Sequence, residues 1–327
     1  SAIKKTGNPL PKETLDLCKK ADATLFGALG LPEYDDNPKA KVWPEQGLLR
    51  LRKELGLFAN IRPVKVFPSL VKQSPLPKAS VQNTDLVIFR ELSGGIYYGD
   101  KSISEDQSSA TDTCTYTEAE ISRITHLAFK SARSRKKKVT LVDKANVLET
   151  SRLWRRVVRS ISESYPDVKL ECLFIDNAAV QMILNPSQFD VILTDNMFGD
   201  ILSDQGSVIA GSIGLLPSAS VGLEHAMFEP IHGSYPDAKG KNIANPVASI
   251  LSMAMLLQHF KMNEESDAVV AAVLKSFAKK IVTPDILGSS KYGTNYVGDF
   301  IADNIMELDG TFTMNDENIG LGKSTII

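Results

Sequence analysis

The stretch Asn196-Met-Phe-Gly-Asp-Ile-Leu-Ser-Asp204 decides the fold class, because it joins the apolar run Phe189–Thr194 to a segment with helical spacing. A short buried strand that leads directly into a helix is the repeating unit of α/β proteins. The same order recurs upstream, where a helical pattern separates the strand-like runs Val139–Val142 and Leu170–Ile175. We therefore predict an α/β fold.

The pattern extends outward from this stretch in both directions. Thr117, with Glu120 three residues later, forms a capping box and predicts a helix that begins there. Residues 230–246 are rich in Gly, Pro, Asn, Asp and Ser and predict a long ordered loop. Further helices are predicted over Pro11–Ala21, Gln46–Leu55, Val247–Phe260 and Asp267–Ile281, and further strands over Ala23–Leu29 and Leu86–Phe89.

Composition excludes several classes of protein. The 327 residues fit two domains, and 37 basic against 39 acidic side chains give a net charge of −2, without the basic excess of a nucleic-acid binder. The three cysteines form no CxxC pair, which favours a reducing compartment over a disulfide framework. The sequence shows no signal region and no apolar run long enough for a membrane span, so we expect a cytoplasmic protein.

Carboxylates form the first candidate site. Asp200 and Asp204 lie four residues apart on a predicted helix and share a face, and Asp176 follows a predicted strand. Hard cations such as Mg²⁺ or Mn²⁺ take such oxygen ligands. The alternative is that both helix aspartates are solvated surface charges.

Arginines beside apolar or turn residues form the second candidate site. Arg90 ends the apolar run Leu86–Phe89, and Arg52 and Arg62 have similar surroundings. Because guanidinium groups bind carboxylates in a bidentate manner, a small di-acid is a plausible ligand. Glu91 is an equally available structural partner for Arg90.

Two possible proton carriers and two glycine-rich segments complete the candidates. Lys144 follows a strand and Tyr97 follows Gly94-Gly95-Ile96, although a solvated lysine and a core tyrosine are the plainer interpretations. Residues 27–32 lack the third glycine of a Rossmann fingerprint and are followed by proline, so we reject that motif. The loop from His232 either cradles a nucleotide or is an ordinary surface loop.

Taken together, these stretches resemble one family, the decarboxylating β-hydroxyacid dehydrogenases. The resemblance spans nearly the whole chain in family order. It begins after the family's first strand and its Gly-Asp-Gly-Ile-Gly-Pro-Glu loop, so we expect a longer natural chain. The matching stretches are Thr6–Pro11, Pro44–Leu49, Leu57–Pro63, Arg90–Tyr97, Asp143–Glu149, Asn196–Asp204, Gly214–Ser220 and His232–Pro246.

The resemblance implies a role for each candidate residue. Three arginines would hold the two carboxylates of a malate core, and three aspartates would hold Mg²⁺ or Mn²⁺, one of them from a second subunit. A lysine from that subunit would accept the hydroxyl proton, and a tyrosine would reprotonate the carbon after CO₂ leaves. These roles fall on Arg52, Arg62 and Arg90, on Asp200, Asp204 and Asp176, and on Lys144 and Tyr97, with Asn146 and Asp176 also near the substrate.

Substrate and cofactor choice follow from the same resemblance. Leu48 and Leu49, with Val147 from the partner, would form an apolar wall that suits an isopropyl group and leaves the extra carboxylate of isocitrate unpaired. We therefore expect NAD-dependent oxidative decarboxylation of 3-isopropylmalate; D-malate or tartrate oxidation and a non-catalytic relative are the alternatives. Asp237 would accept bonds from the ribose and repel a 2′-phosphate. The expected NAD contacts are Glu45, His232, Gly233, Ser234, Asp237 and Asn245.

The resemblance also implies the domain organisation. The fold would be the family's own two-domain α/β architecture with a discontinuous first domain, and not a Rossmann fold. Residues 1–57 and 211–327 would form the cofactor domain, and residues 58–210 the domain with the metal site and the dimer contact. Residues 98–116 would form an arm that pairs between subunits. We thus expect a homodimer with shared active sites.

Overall fold

The computed structural model describes residues 2–35 and 42–306. Strands and helices alternate through most of this part of the chain, which confirms the predicted α/β class. The strands described are β1 (Thr24–Leu25), β2 (Ala59–Lys65), β3 (Asp85–Glu91), β4 (Lys101–Ile103), β5 (Ala110–Asp112), β6 (Lys138–Asp143), β7 (Lys169–Phe174), β8 (Val191–Thr194), β9 (Pro217–Val221) and β10 (Ala226–Pro230).

The α-helices flank these strands. Short 3₁₀ turns cover Pro68–Gln73, Pro186–Gln188, Ile213–Leu215 and Pro236–Ala238. None of the helices in the described residues is both long and apolar enough to cross a membrane. The helices are α1 (Ala2–Thr6), α2 (Lys12–Lys20), α3 (Pro32–Asp35), α4 (Pro44–Glu54), α5 (Lys78–Val81), α6 (Glu118–Arg133), α7 (Glu149–Ser162), α8 (Ile175–Leu184), α9 (Asn196–Ala210), α10 (Val247–His259), α11 (Asn263–Ala278) and α12 (Thr294–Met306).

One large mixed sheet organises the molecule. Among the described residues its strand order is β1-β10-β9-β2-β3-β8-β6-β7. Strands β3, β8, β6 and β7 run parallel to one another, whereas β10, β9, β2 and β3 are paired antiparallel in succession. The carboxyl ends of the parallel strands therefore meet at one edge, where ligands bind in open α/β sheets.

The sheet is buried on both faces, because side chains alternate along each strand. Val87 and Phe89 pack with the helices α6 and α7. Leu86 and Ile88 point the other way and pack with α8 and α9. This two-sided burial explains why the parallel strands read as continuous apolar runs.

Most predicted elements are present, with differences at their ends. The capping box is confirmed: Thr117 Oγ1 accepts from the Glu120 amide at 3.3 Å, and Glu120 Oε2 accepts from the Thr117 amide at 2.7 Å. The strand expected over Ala23–Leu29 is wrong in length, since only Thr24–Leu25 pairs. Asp176 was expected at the end of a strand but lies in the first turn of α8. Strands β2, β4, β5, β9 and β10 were not predicted from the sequence.

The strand order bears on the expected domains. The boundary between residues 58–210 and residues 1–57 with 211–327 falls where Ala59–Ile61 of β2 pairs with Ala219–Val221 of β9. The sheet is continuous across this pairing, and the two-domain division stays a prediction. Residues 36–41 and 307–327 of the expected first domain lie outside the described residues. Within the expected arm, β4 and β5 form an exposed two-stranded hairpin.

Candidate active site

A cavity of about 300 Å³ lies where α4, β2, β3, α9 and the segment after β10 converge. Its lining combines three arginines and one aspartate with aliphatic side chains. Side chains from distant parts of the sequence meet in this cavity because the strand order places β2, β3 and β9 side by side. The expected site residues that line it are Glu45, Leu48, Leu49, Arg52, Arg62, Arg90, Tyr97, Asp200, His232 and Gly233.

Arg52 extends from the last turn of α4 into the cavity lining. It is buried, and its Nη2 lies 2.7 Å from Glu229 Oε1 on β10. Its Nε is buried and has no hydrogen-bond partner among the described residues. A buried donor without an acceptor costs free energy, so a ligand carboxylate fits this position.

Arg62 lies on β2 and is held by neutral acceptors. Its Nε donates to Asn60 Oδ1 at 2.6 Å, and its Nη1 donates to Ser203 Oγ at 2.6 Å. The same Nη1 lies 3.4 Å from a carboxylate oxygen of Asp200 and 3.4 Å from one of Asp204. Burial lowers the pKa of Arg62, and the Asp200 carboxylate opposes that shift. The positive charge of Arg62 is therefore buried but partly compensated by these two carboxylates.

Arg90 ends β3 and contacts the start of α9. Its Nε and Nη2 both donate to Asn196 Oδ1, at 3.0 and 2.7 Å, and its Nη1 pairs with Asp200. Burial, followed by repulsion from Arg62, lowers the pKa of Arg90 to about 10. The alternative partner Glu91 is wrong: its carboxylate accepts from the amides of Ser93 and Gly94.

Tyr97 lies beside this arginine at the turn after β3. Its hydroxyl donates to Asp200 Oδ2 at 3.0 Å, and the Arg90 guanidinium carbon lies 5.6 Å from its ring centroid. Burial raises the pKa of Tyr97, and the neighbouring Asp200 carboxylate raises it further. The phenol is therefore protonated at neutral pH and available as a proton donor.

Asp200 and Asp204 lie one turn apart on α9, and both approach the same nitrogen of Arg62. Burial raises the pKa of Asp204, and Arg62 opposes that shift. Two carboxylates gathered around one cation form a donor set that a divalent metal ion could also bridge. The described residues of this one chain contain no cluster of three metal-ligating side chains.

Lys144 and Asp176 lie together, outside the cavity of their own chain. Lys144 Nζ is 2.6 Å from Asp176 Oδ1, and this contact lowers the pKa of the exposed Asp176. Asn146 and Val147 belong to the same exposed turn, and neither lines the cavity. The structure brings this second group together, and its expected contribution to a partner's site stays a prediction.

The loop after β10 divides between the cavity and the surface. His232 and Gly233 line the cavity, whereas the Ser234 amide donates to the Leu29 carbonyl at 2.8 Å. Asp237 is exposed in a 3₁₀ turn, and Asn245 Nδ2 donates to Asp285 Oδ2 at 3.0 Å. In the part of the chain described, Ser234, Asp237 and Asn245 do not line the cavity.

The buried residues that hold the arginines were not predicted from the sequence. Asn60, Ser203 and Glu229 contact Arg62 or Arg52, and Asn196 contacts Arg90. Asn60 and Asn196 both lie inside stretches that match the family, which was the available signal. Their partners depend on strand pairing, which the local pattern does not contain.

The fold and the cavity define a class of protein: an α/β protein with a mixed sheet and a cavity lined by three buried arginines. The chain belongs to the isocitrate/isopropylmalate dehydrogenase family, whose model matches residues 1–301.

Relatives with assigned names are similar over most of their length. The "3-isopropylmalate dehydrogenase" of Bacteroides fragilis is 52% identical over 306 residues, covering 93% of this chain and 86% of that protein. The protein of the same name from Aquifex aeolicus is 51% identical and covers 95% of this chain and 87% of its own length. The one from Bacillus subtilis is 52% identical, covering 90% of this chain and 82% of that protein.

Solved structures with the same fold come from the same family. The isocitrate dehydrogenase of Methylococcus capsulatus matches with a TM-score of 0.83 and 34% identity, covering 93% of this chain and 87% of that one. A β-decarboxylating dehydrogenase from Thermococcus kodakarensis in its apo form matches with a TM-score of 0.76 and 34% identity, covering 95% and 87%.

Proposed function

We infer that this chain catalyses the oxidative decarboxylation of 3-isopropylmalate to 4-methyl-2-oxopentanoate and CO₂ in leucine biosynthesis. It is a decarboxylating dehydrogenase. The observation that carries the assignment is the cavity, where three buried arginines meet an aliphatic wall. The chain is also about 52% identical to proteins named 3-isopropylmalate dehydrogenase.

The arginines account for the two carboxylates of the substrate. Arg52, Arg62 and Arg90 line one cavity, and Arg52 retains a buried N–H group without an acceptor. Planar guanidinium groups bind carboxylates through parallel hydrogen bonds and fix their orientation. The substrate is thereby held with both carboxylates in defined positions.

The aliphatic wall accounts for the third substituent. Leu48 and Leu49 line the cavity from α4, on the side of Glu45. They suit an isopropyl group, because an apolar surface gains from contact with an apolar substituent. The carboxylate of isocitrate at that place would lose water without finding a donor.

The chain's own residues supply the proton transfers. We assign to Lys144 of the partner subunit the base that accepts the C2 hydroxyl proton. We assign to Tyr97, a phenol kept protonated by its surroundings, the acid that protonates C3 after the β-carboxylate leaves as CO₂. When bound, NAD⁺ accepts the hydride from C2, and Mg²⁺ or Mn²⁺ polarises the C2 oxygen.

The residues present fit both groups. Asp200 and Asp204, together with Asp176 of the partner subunit, would hold the metal ion; the first two already surround one cation, Arg62. Glu45, His232 and Gly233 in the cavity lining, and the loop that carries Ser234, Asp237 and Asn245, would hold NAD. An exposed carboxylate at Asp237 suits a ribose and opposes a 2′-phosphate.

A homodimer would bring the Lys144 group to the neighbouring cavity. Helices α8 and α9 pack together and carry exposed apolar side chains close in sequence to Asp176 and Asp200. Contiguous exposed apolar surface is typical of an interface between subunits. The exposed residues are Val180, Ile183, Leu184, Ile201 and Val208.

The direct test is NADH formation at 340 nm with purified protein, NAD⁺, Mg²⁺ and three acids in parallel: 3-isopropylmalate, isocitrate and D-malate. We expect the highest kcat/KM with 3-isopropylmalate. Higher turnover of D-malate would refute the argument from the leucine wall. Absence of turnover with every acid, in a protein shown to be folded and dimeric, would favour a non-catalytic relative.

A further inference from the structure

Asn196 occupies a junction between three parts of the active site. It is the first residue of α9 and is 1% exposed. Its side-chain oxygen accepts two N–H groups of Arg90, at 3.0 and 2.7 Å, and its side-chain nitrogen donates to the carbonyl of Gly94 at 3.2 Å. One amide therefore connects a substrate arginine to the turn that leads to Tyr97.

A tyrosine fixes Asn196 and the same turn from the other side. The hydroxyl of Tyr116 accepts the backbone N–H of Asn196 at 2.9 Å. Its ring lies so close to Gly94 and Gly95 that a Cβ atom at either glycine would approach it within 2.9 Å. Gly95 has φ +79°, a conformation that L side chains rarely adopt. These contacts leave the turn little conformational freedom.

The turn positions the backbone that leads to Tyr97, whose hydroxyl donates to Asp200 Oδ2 at 3.0 Å. Glu91, which is fully buried, accepts from the Gly94 amide at 2.8 Å and anchors the start of the turn to β3. Asn196 then anchors the Gly94 carbonyl to α9. Tyr97 follows three residues after Gly94 and lies beside Arg90.

We propose that Asn196 is a positioning residue for the acid step: it holds Tyr97 at the substrate by tying the Gly94–Tyr97 turn to Arg90. The proposal rests on the proposed function, in which Tyr97 is the proton donor. Asn196 itself contacts Arg90 and backbone atoms, and it transfers no proton.

The substitution Asn196→Asp separates the two side-chain contacts of this residue, one to Arg90 and one to Gly94. The new carboxylate keeps an acceptor for Arg90 but replaces the N–H group that holds Gly94 with an oxygen, which repels the carbonyl. We expect kcat to fall by about 10- to 100-fold, since small misplacement of a catalytic group has effects of that size. KM for 3-isopropylmalate rises as well, because the new carboxylate offsets part of the Arg90 charge, so the diagnostic readout is whether the loss of kcat depends on Tyr97. The solvent deuterium isotope effect on kcat increases, because protonation of C3 becomes limiting.

A double-variant comparison distinguishes positioning from a general structural effect. If Asn196 acts through Tyr97, then Asn196→Asp reduces kcat in the wild-type background but has little further effect in Tyr97→Phe. Multiplicative losses would overturn the proposal. Tyr116→Phe provides a second, milder variant that removes the contact to the Asn196 amide, and it should show the same dependence on Tyr97.

Asn304→Asp is the matched control. Asn304 is also buried, and its side-chain nitrogen also donates to a backbone carbonyl, that of Phe300, but it lies on α12. Equal loss of kcat in both variants would overturn the proposal, whereas an unchanged control supports it.

A crystal structure of the Asn196→Asp variant provides a readout that does not need turnover. Displacement of the Gly94–Tyr97 turn with Arg90 still on residue 196 supports positioning, and an unmoved turn refutes it. Turnover of 3-isopropylmalate by the wild-type protein tests the proposed function separately, so failure of one can be told from failure of the other.

Discussion

The arginines of the cavity show how single buried charges are kept available for a ligand. Arg62 and Arg90 each place their Nε on the side-chain oxygen of an asparagine, at 2.6 and 3.0 Å. A neutral acceptor satisfies part of the guanidinium without cancelling its charge, so the remaining charge can bind substrate carboxylates. Arg52 differs, because it pairs with Glu229 and keeps one free buried donor.

The charge at Asp237 is expected to determine cofactor choice. Asp237→Lys should raise kcat/KM with NADP relative to NAD by about tenfold or more, because reversing one charge beside a phosphate is worth roughly 1–2 kcal/mol. Initial rates with both cofactors measure this ratio. Asp303→Lys makes the same change at an exposed position of α12 and should leave the ratio unchanged. An unaltered ratio in Asp237→Lys would remove that residue from the ribose site.

His259 is expected to reduce stability in mild acid. Its Nδ1 is buried without a partner among the described residues, and burial, assisted by Lys261, lowers its pKa. Below the ordinary histidine value of about 6.5, the unfolded chain takes up a proton that the folded chain resists, so the free energy of unfolding falls. Urea titrations at pH 7.5, 6.5 and 5.5 should show a smaller decline in His259→Gln than in wild type. Parallel declines would contradict this.

At the scale of single residues, the type of side chain decided whether a site residue could be identified from the sequence. Charged residues such as Arg90 and Asp200 were identified because their types suit a di-acid and a metal ion. Asn60 and Asn196 were missed, because an amide has no charge to indicate its role and its partners are set by the fold. The expectation that Glu91 could pair with Arg90 was wrong because partners are set by the fold. Adjacent residues on a strand point to opposite faces, so Glu91 cannot share the site of Arg90.

At the scale of elements, α9 carries Asn196, Asp200 and Asp204 and is packed tightly against the sheet. A Cβ atom at Gly206 would lie 2.6 Å from Val64 Cγ2 on β2, whereas one at Gly298, on α12, would meet nothing within 4 Å. The close approach of α9 to β2 therefore requires glycine at residue 206, whereas residue 298 on α12 is unrestricted.

These two glycines make a matched pair for stability measurements. Gly206→Ala should lower the free energy of unfolding by about 1–3 kcal/mol through overpacking. Gly298→Ala should raise it by about 0.5–1 kcal/mol, because alanine loses less conformational freedom in a helix. Chemical denaturation of both variants tests this difference. A destabilised Gly298→Ala, or an unaffected Gly206→Ala, would show that the helix packing differs from that described.

Helices with clear caps and strands with apolar runs were predictable, and polar central strands were not. The capping box at Thr117 identified α6, and Leu86–Phe89 identified β3. Strand β2 contains Asn60, Arg62 and Pro63, which local rules place outside a sheet interior. The proline is tolerated because β9 pairs only with Ala59–Ile61 among the described residues, so its missing N–H faces no ladder there.

At the scale of the whole molecule, the expected site residues form two separate groups within one chain. The cavity holds Arg90 and Asp200, while Lys144 pairs with Asp176 elsewhere on the same edge of the sheet. These groups follow the parallel strands β3, β8, β6 and β7, so their separation within one chain follows from the strand order. The proposed two-fold dimer would place each Lys144 group at the cavity of the other subunit.

Subunit mixing tests the shared site directly. Lys144→Met should lower turnover strongly with little loss of folding. Asp200→Asn should also lower turnover strongly, at some cost in stability, because Asp200 pairs with the buried Arg62 and Arg90. Each variant removes one group from every site. In a mixed dimer, one site receives both defects and the other receives none. Random reassociation should therefore restore about a quarter of wild-type activity, because half of the dimers are mixed and each has one intact site. NADH formation before and after denaturation and joint refolding measures the recovery. If mixed dimers form and stay inactive, Lys144 serves its own chain; if Lys144→Met alone retains near wild-type turnover, Lys144 is not the base.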